Sequence, residues 1–309
     1  MLRSPLRWFG GKGHMVKKLL KLIPPHHTYV EVFGGAAALL FAKPPSPVEV
    51  YNDIDSGLVN LFRVLRDPEK FHKFYRLVCL TPYSREEWEF CRQTWESCED
   101  DVERAYRFFV VARQSFGGKF DEGWGFCVTA TARNMSRSCS TWLSVIEGLP
   151  EIHARIMRVQ VENKDFRELI PLYDTEETLF YCDPPYVPDT RRSGGYRYEM
   201  SLDDHCDLVE LLLKVKGKVL LSGYRHYVYE PLEHAGWQRL EFDAVCHVTG
   251  RTRSSRVRGP GSAKAHLPRT ECVWISPNAQ SQQQMFTNAA GCGIITYGGD
   301  DDAVAKARA

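Results

Sequence analysis

Asp183-Pro184-Pro185-Tyr186 places a carboxylate, two rigid prolines and an aromatic face directly after Thr178-Leu179-Phe180-Tyr181-Cys182. That pentad reads as a buried parallel strand. Each proline fixes φ and lacks an N–H, and Pro184 biases Asp183 toward extended backbone, so the turn leaving the strand is stiff and its carbonyls are free to accept. A carboxylate and a proline carbonyl together can take both hydrogens of an exocyclic amino group, while the Tyr186 ring offers a surface for a planar base. This is chemistry suited to a nucleobase NH2. Read alone, the four residues equally suit an edge turn in which Asp183 caps a backbone N–H and Tyr186 lies on the surface.

Three other stretches carry chemistry. Glu31-Val32-Phe33-Gly34-Gly35-Ala36-Ala37 lies between a strand and a helix. Its small residues let backbone approach a ligand, and the helix N-terminal amides favour a carboxylate. Tight strand–helix packing would use the same residues, and the missing G-x-G-x-x-G pattern argues against a dinucleotide. Asp53 and Asp55 end the next strand, where one carboxylate can accept two ribose hydroxyls while the other caps a helix. Asp165 could meet an adenine amino group by the same logic or cap its own loop. Arg7-Trp8-Phe9-Gly10-Gly11-Lys12 combines an aromatic plane, flexible backbone and a cation, which suits either a structural arm or a ligand clamp.

These residues need a scaffold, and the pattern supplies an α/β one. Helical periodicity over 14–23 stops at Pro24-Pro25. Tyr29–Phe33 and Val48–Tyr51 read as strands, with a helix over 36–42 between them, which is a βαβ beginning. From about 61 to 150 the character changes to amphipathic helices at 69–80, 85–98 and 100–114, followed by a Gly/aromatic loop at 116–126, with no good strand candidate. Strands return at 159–161, 178–182 and 218–222, with a helix at 202–214, and the last strand is Thr270–Ile275. The expected organisation is a discontinuous α/β domain (1–60 and 151–276), a helical insertion (61–150) and a mobile, Ser/Asn/Gln/Gly-rich tail (277–309).

Composition narrows the partners. The 309 residues carry 40 basic and 39 acidic side chains, a net charge of +1, so no global field draws the chain to a polyanion and any such partner must meet a local patch. The 10 cysteines are scattered without a CxxC pair or zinc-ligand spacing, which favours a reduced, cytoplasmic chain over a disulfide scaffold. No metal is expected. Residues 1–13 lack an apolar signal core, and no run approaches a membrane span.

Taken together, Trp-x-Gly-Gly-Lys at 8–12, Val-Glu-Val-Phe-Gly-Gly-Ala at 30–36, Asn-Asp-Ile-Asp at 52–55 and Asp-Pro-Pro-Tyr at 183–186 resemble the Dam-type, alpha-class DNA adenine N6-methyltransferases, in the order that family uses. The resemblance covers residues 5 to about 276, and the helical insertion falls where the family has its target-recognition domain. It implies a Rossmann-like sheet that binds S-adenosyl-L-methionine. Trp8, Lys12, Glu31, Phe33, Gly34, Gly35, Asp53, Asp165 and Asp183 would line the cofactor site, with Lys12 near the methionine end. Asp183, the Pro184 carbonyl and Tyr186 would hold a flipped-out adenine. The implied partner is double-stranded DNA, with a cognate restriction endonuclease as a candidate companion. Ala37 departs from the family, standing where many members have a second glycine.

Residues 247–269 contain Arg251, Arg253, Arg256, Arg258, Lys264 and Arg269 and no acidic residue, the pattern of a phosphate-binding loop. Base reading falls more plausibly to Arg113, Lys119, Arg133, Asn134 and Arg137, whose side chains can bond major-groove edges or phosphates. Three alternatives stand beside adenine methylation of DNA: an RNA adenine N6-methyltransferase, since an amino-group pocket does not identify the sugar; a catalytically silent nucleic-acid-binding protein on the same scaffold; and cytosine N4 transfer, a chemistry that more often goes with Ser at the Asp183 position.

Overall fold

A computed structural model describes residues 1–190, 196–245 and 268–280 of the chain. It opens with a 3-10 turn at Lys12–His14 and α1 (Val16–Leu19), then β1 (Thr28–Glu31), α2 (Ala38–Ala42) and β2 (Val48–Asn52). Four helices follow: α3 (Ser56–Arg66), α4 (Pro68–Leu80), α5 (Arg85–Thr94) and α6 (Asp101–Gln114). A small hairpin of β3 (Thr131–Ala132) and β4 (Met135–Ser136) leads into α7 (Arg137–Ile156). The sheet resumes with β5 (Gln160–Glu162), α8 (Phe166–Tyr173), β6 (Thr178–Cys182), α9 (Leu202–Leu212), β7 (Lys218–Gly223), α10 (Glu230–His234), β8 (Gln238–Val245) and β9 (Pro268–Ile275).

Among the described residues seven strands form one sheet in the order β5-β2-β1-β6-β7-β9-β8. β5, β2, β1, β6 and β7 are mutually parallel, and β9 runs antiparallel between β7 and β8. The order reverses between β1 and β6, where connections leave for opposite faces and a crevice opens beyond the strand ends. This is a Rossmann-like sheet. β6 is buried along its whole length, as its unbroken apolar run requires.

The two faces are packed differently. Val30, Val50, Phe180, Val219 and Leu221 point to the side covered by α8 and α9, where Leu169, Ile170, Leu208 and Leu212 meet them. Tyr29, Tyr51, Leu179, Tyr181 and Leu220 point to the other side. There they share one continuous apolar cluster with Phe62, Phe74, Phe109, Trp142 and Ile152 of the helical segment. A buried ion triad reinforces the join. Glu49 on β2 receives Lys43 at 2.6 Å and Arg155 of α7 at 2.6 Å, and Arg155 also donates to the Leu40 carbonyl at 2.9 Å. Removing one member would leave a buried charge uncompensated, at a cost of about 3–5 kcal/mol.

The helices begin where the chain offers caps. Asp55 caps α3, Asp67 caps α4 with Pro68 at its first position, Ser84 caps α5 and Asp100 caps α6. Ser201 and Asp204 form a reciprocal capping box at α9.

Several expectations need correction. A hairpin, β3–β4, interrupts the segment expected to be purely helical. β8 pairs with β9 over its full length, where no strand was expected. Residues 277–280 form a helical turn with Ala279 fully buried, so that part of the expected tail is ordered against the sheet; 281–309 lie outside the described residues. Positions 60 and 150 both fall inside helices, α3 and α7. The described cysteines are all unpaired. Among the described residues no helix is long and apolar enough to cross a membrane.

Candidate active site

The crevice beyond β1, β2 and β6 is built on a turn with little freedom. Gly34 N–H donates to the Asn52 carbonyl at 2.8 Å, and Ala37 N–H returns to the Gly34 carbonyl at 2.7 Å. Gly35 has φ +47°, and its N–H donates to Asp53 Oδ2 at 2.7 Å. The Tyr51 hydroxyl donates to the Gly35 carbonyl at 2.8 Å. Ala37 takes φ 54° and ψ 38°, the left-handed conformation that glycine adopts without strain, and is fully buried. Alanine here therefore holds a backbone shape that glycine would adopt more freely.

Both acids after β2 face this crevice, with different duties. Asp53 fixes the turn through Gly35 and takes the Asp55 N–H at 2.8 Å on its other oxygen; burial pushes its carboxyl up to about 6 against these bonds. Asp55 caps α3 through Gly57 N–H at 2.8 Å and pairs with Arg197 at 2.7 Å. Arg197 continues to Glu96 at 3.1 Å and lies 4.4 Å from the Trp95 ring, linking the crevice wall to the helical segment.

The N-terminal arm closes one side. Trp8 lies against Gly35, where a methyl would sit 3.2 Å from its ring, and reaches Phe108 and Phe120 at 6.1 and 5.9 Å. Lys12 is 5% exposed, with its ammonium 2.8 Å from Asp183 Oδ1, 3.1 Å from the Gly10 carbonyl and 4.6 Å from the Tyr186 ring centre. Burial works against its charge, but Asp183 and other negative neighbours hold it above the ordinary lysine range. Burial likewise drives Asp183 up, to about 6, with Lys12 opposing. Glu31 is buried with Oε2 unpartnered; burial first, then the charge of Asp183, push it up to about 8.

Most residues expected to hold a cofactor line this one crevice: Trp8, Lys12, Glu31, Phe33, Gly34, Gly35, Asp53 and Asp183. Asp165 does not. It caps α8 through Arg167 N–H at 2.8 Å and pairs with the Arg167 guanidinium at 3.1 Å. Of the motif after β6, Pro185 lines the crevice while Pro184 is buried behind it. Tyr186 lies buried beneath, its ring edge-on to Tyr224 at 4.5 Å.

The residues expected to read DNA are scattered. Arg113 is partly buried, and burial and the nearby Arg7 push its guanidinium down to about 10. Lys119 lies over the Phe9 ring at 4.6 Å. Arg133 and Asn134 form the tip of the β3–β4 hairpin, both left-handed at φ 53° and 57°, but Arg133 folds back to Glu147 at 3.1 Å and to Ser140. Asn134 and Arg137 are exposed beside it. Arg251, Arg253, Arg256 and Arg258 lie outside the described residues. Sequence reasoning missed Tyr196, Arg197 and Tyr198, which line the crevice, and the His14–Glu271 pair at 3.2 Å.

The chain thus presents a Rossmann-like sheet with an inserted helical segment and a crevice at its switch point. A family model described as D12 class N6 adenine-specific DNA methyltransferase matches residues 8–239, and the chain belongs to that family. It is therefore an adenine-specific DNA methyltransferase. Type II methyltransferase M1.LlaDCHI of Lactococcus lactis subsp. cremoris is 25% identical over 237 residues, 72% of this chain and 81% of that protein. The DNA adenine methylase of Vibrio cholerae serotype O1 is 23% identical over 239 residues, with the same shares. The DNA N-6-adenine-methyltransferase of Escherichia phage P1 is 23% identical over 232 residues, 68% of this chain but 28% of that protein.

Proposed function

We propose that the crevice holds S-adenosyl-L-methionine and that Asp183, Pro184 and Tyr186 hold an adenine flipped out of double-stranded DNA. One observation carries this reading: Asp183 and the Gly34–Gly35–Asp53 turn open onto the same crevice at the switch point of the sheet. The lining fits the cofactor. Glu31 offers a buried carboxyl oxygen without a partner, which an incoming ammonium group would draw into its ionised form, and the bare backbone at Gly34 leaves no room for a side chain. Asp53 stands where a ribose would present its hydroxyls.

The cofactor, when bound, supplies an electrophilic methyl group on a sulfonium. Asp183 accepts one hydrogen of the adenine amino group and the Pro184 carbonyl the other, which favours a pyramidal nitrogen with its lone pair available. Positioning and electrostatics therefore carry the rate, and Asp183 need only be ionised. Stacking against Tyr186 offsets part of the few kcal/mol spent in extruding the base. We assign target reading to the helical segment at about 61–150 and its β3–β4 hairpin, and phosphate contact to the arginines at 251–258. The relative from Lactococcus lactis bears a type II name, which supports a cognate restriction endonuclease as companion.

The test is expression in a host that lacks DNA methylation, with modified adenines read directly by sequencing. Wild-type chain should mark adenine within a defined sequence, and Asp183→Ala should mark none while keeping its far-ultraviolet spectrum. Marking by the variant at the wild-type level refutes the role given to Asp183.

A further inference from the structure

Lys12 stands where the base has to go. Its ammonium is at ion-pair distance from Asp183 and lies 4.6 Å from the centre of the Tyr186 ring. A stacked base would have to come closer to that ring than the ammonium does, and its amino group needs the same carboxylate. The competition lies at the Tyr186 face, where a stacked base would push the ammonium off the ring and draw it away from Asp183. A buried ammonium stripped of its counter-ion is costly unless a second acceptor is at hand.

The structure contains one. Glu271 on β9, opposite Phe242 of β8, is 8% exposed and lies close enough to act electrostatically on both Lys12 and Asp183. His14, two residues beyond Lys12, holds it through Nε2 at 3.2 Å. Burial opposes its charge, but His14, Lys12 and the Tyr186 hydroxyl together keep Glu271 below the ordinary glutamate range, so it is ionised. Among the described residues, His14 and the Tyr186 hydroxyl bond Glu271, and its charge acts on Lys12 and Asp183. The Lys12 ammonium is thus drawn by both carboxylates, and each carboxylate disfavours the charge of the other.

We infer that Glu271, braced by His14, is a positioning residue that receives the Lys12 ammonium when the target adenine displaces it from Asp183. This rests on the assignment of Asp183 and Tyr186 as the adenine site. Lys12 then works as an exchangeable plug, with Asp183 satisfied before the base arrives and Lys12 satisfied afterwards.

The experiment uses the full chain and two duplexes: one carries its target sequence, for turnover, and the other has 2-aminopurine, which lacks the N6 amino group, in place of the target adenine to report extrusion alone. Glu271→Gln, which preserves shape, should lower kcat about tenfold or more and weaken the 2-aminopurine signal, with cofactor Kd within about twofold of wild type. Glu271→Asp should restore at least about half of both losses. In a Lys12→Met background, adding Glu271→Gln should change kcat by less than about twofold, because the ion to be received is gone.

Full multiplication of the two effects overturns the inference, as does a Glu271→Gln kcat within about twofold of wild type. So does a loss of melting temperature and cofactor affinity in step with kcat that Glu271→Asp fails to recover, since that is a structural role. Absence of methylation or base extrusion in the wild-type chain would instead remove the adenine-site assignment itself.

Discussion

Replacing Gly34 by alanine tests whether the turn after β1 is held rigidly against β2. The added methyl would lie 2.2 and 2.7 Å from two ring carbons of Tyr51 and 2.8 Å from the backbone oxygen of Asn52. Neither neighbour can yield cheaply. Tyr51 is fully buried, its ring centre 4.4 Å from that of Phe62 and its hydroxyl committed to the Gly35 carbonyl. Asn52 is tied by its amide to the carbonyls of Val32 and Lys164 at 2.8 and 3.0 Å. Carbon atoms settle at about 3.5–4.0 Å, so relief requires the turn to shift by roughly 1 Å. Overpacking of this kind costs about 1–3 kcal/mol, and an ångström of misplacement at a ligand turn costs about 100-fold in rate. Urea unfolding should therefore show the loss of stability, calorimetry a weakened cofactor, and methyl incorporation a fall of about 100-fold in kcat/KM. Gly148→Ala is the control. It lies within α7 with nothing inside 4 Å of the new methyl, and the same substitution should there raise stability by up to about 1 kcal/mol. Wild-type stability and cofactor affinity in Gly34→Ala would refute the rigid turn.

Three further outcomes are expected. Asp183 is held up at about 6, above its unfolded value, so its carboxylate costs stability that is absent below the unfolded range and fully present above about 6, while kcat/KM should fall as pH drops through about 6; an acid limb of kcat/KM centred near 4 would remove Asp183 as its source. Ala37→Gly relieves about 1–2 kcal/mol of left-handed strain and loses about 0.8 kcal/mol of buried methyl, so unfolding should show no net destabilisation; a loss above about 1 kcal/mol contradicts the strain argument. Neutralising Arg251, Arg253, Arg256 and Arg258 should make the logarithmic salt dependence of DNA binding shallower by about 0.9 for each phosphate they neutralise, and an unchanged slope would separate that segment from the DNA backbone.

What the sequence made legible depended on whether a pattern was local. β6 is an unbroken apolar run closed by prolines, and its expected limits, 178–182, match the structure. The helices at 68–80 and 101–114 announce themselves by Asp67 and Asp100 as caps. The β3–β4 hairpin escaped because two-residue strands carry no periodicity and its left-handed tip, Arg133-Asn134, contains no glycine. β8 escaped although Leu240, Phe242 and Ala244 alternate with polar residues, a pattern legible as a half-buried strand.

Within the site, the Gly34–Gly35 turn and Asp53 could be placed because both end parallel strands. Asp165 and Arg113 could not, since residue type does not say whether a carboxylate turns back to cap its helix or a guanidinium turns inward. Arg197 with Asp55, and His14 with Glu271, meet across 142 and 257 residues, separations for which no spacing rule exists.

The apolar cluster shared by the sheet and the helical segment bears on how such an enzyme can acquire a new target. Phe62, Phe109 and Trp142 pack into the same cluster as Tyr29 and Tyr181, so a foreign recognition segment spliced in at 60 and 150 would arrive with side chains shaped for another partner. Both cuts would also sever a helix. With target reading at the β3–β4 tip, as proposed above, retargeting would proceed by exchange of the exposed tip at Arg133 and Asn134, leaving α3 to α7 in place as part of the catalytic body rather than as cargo carried by it.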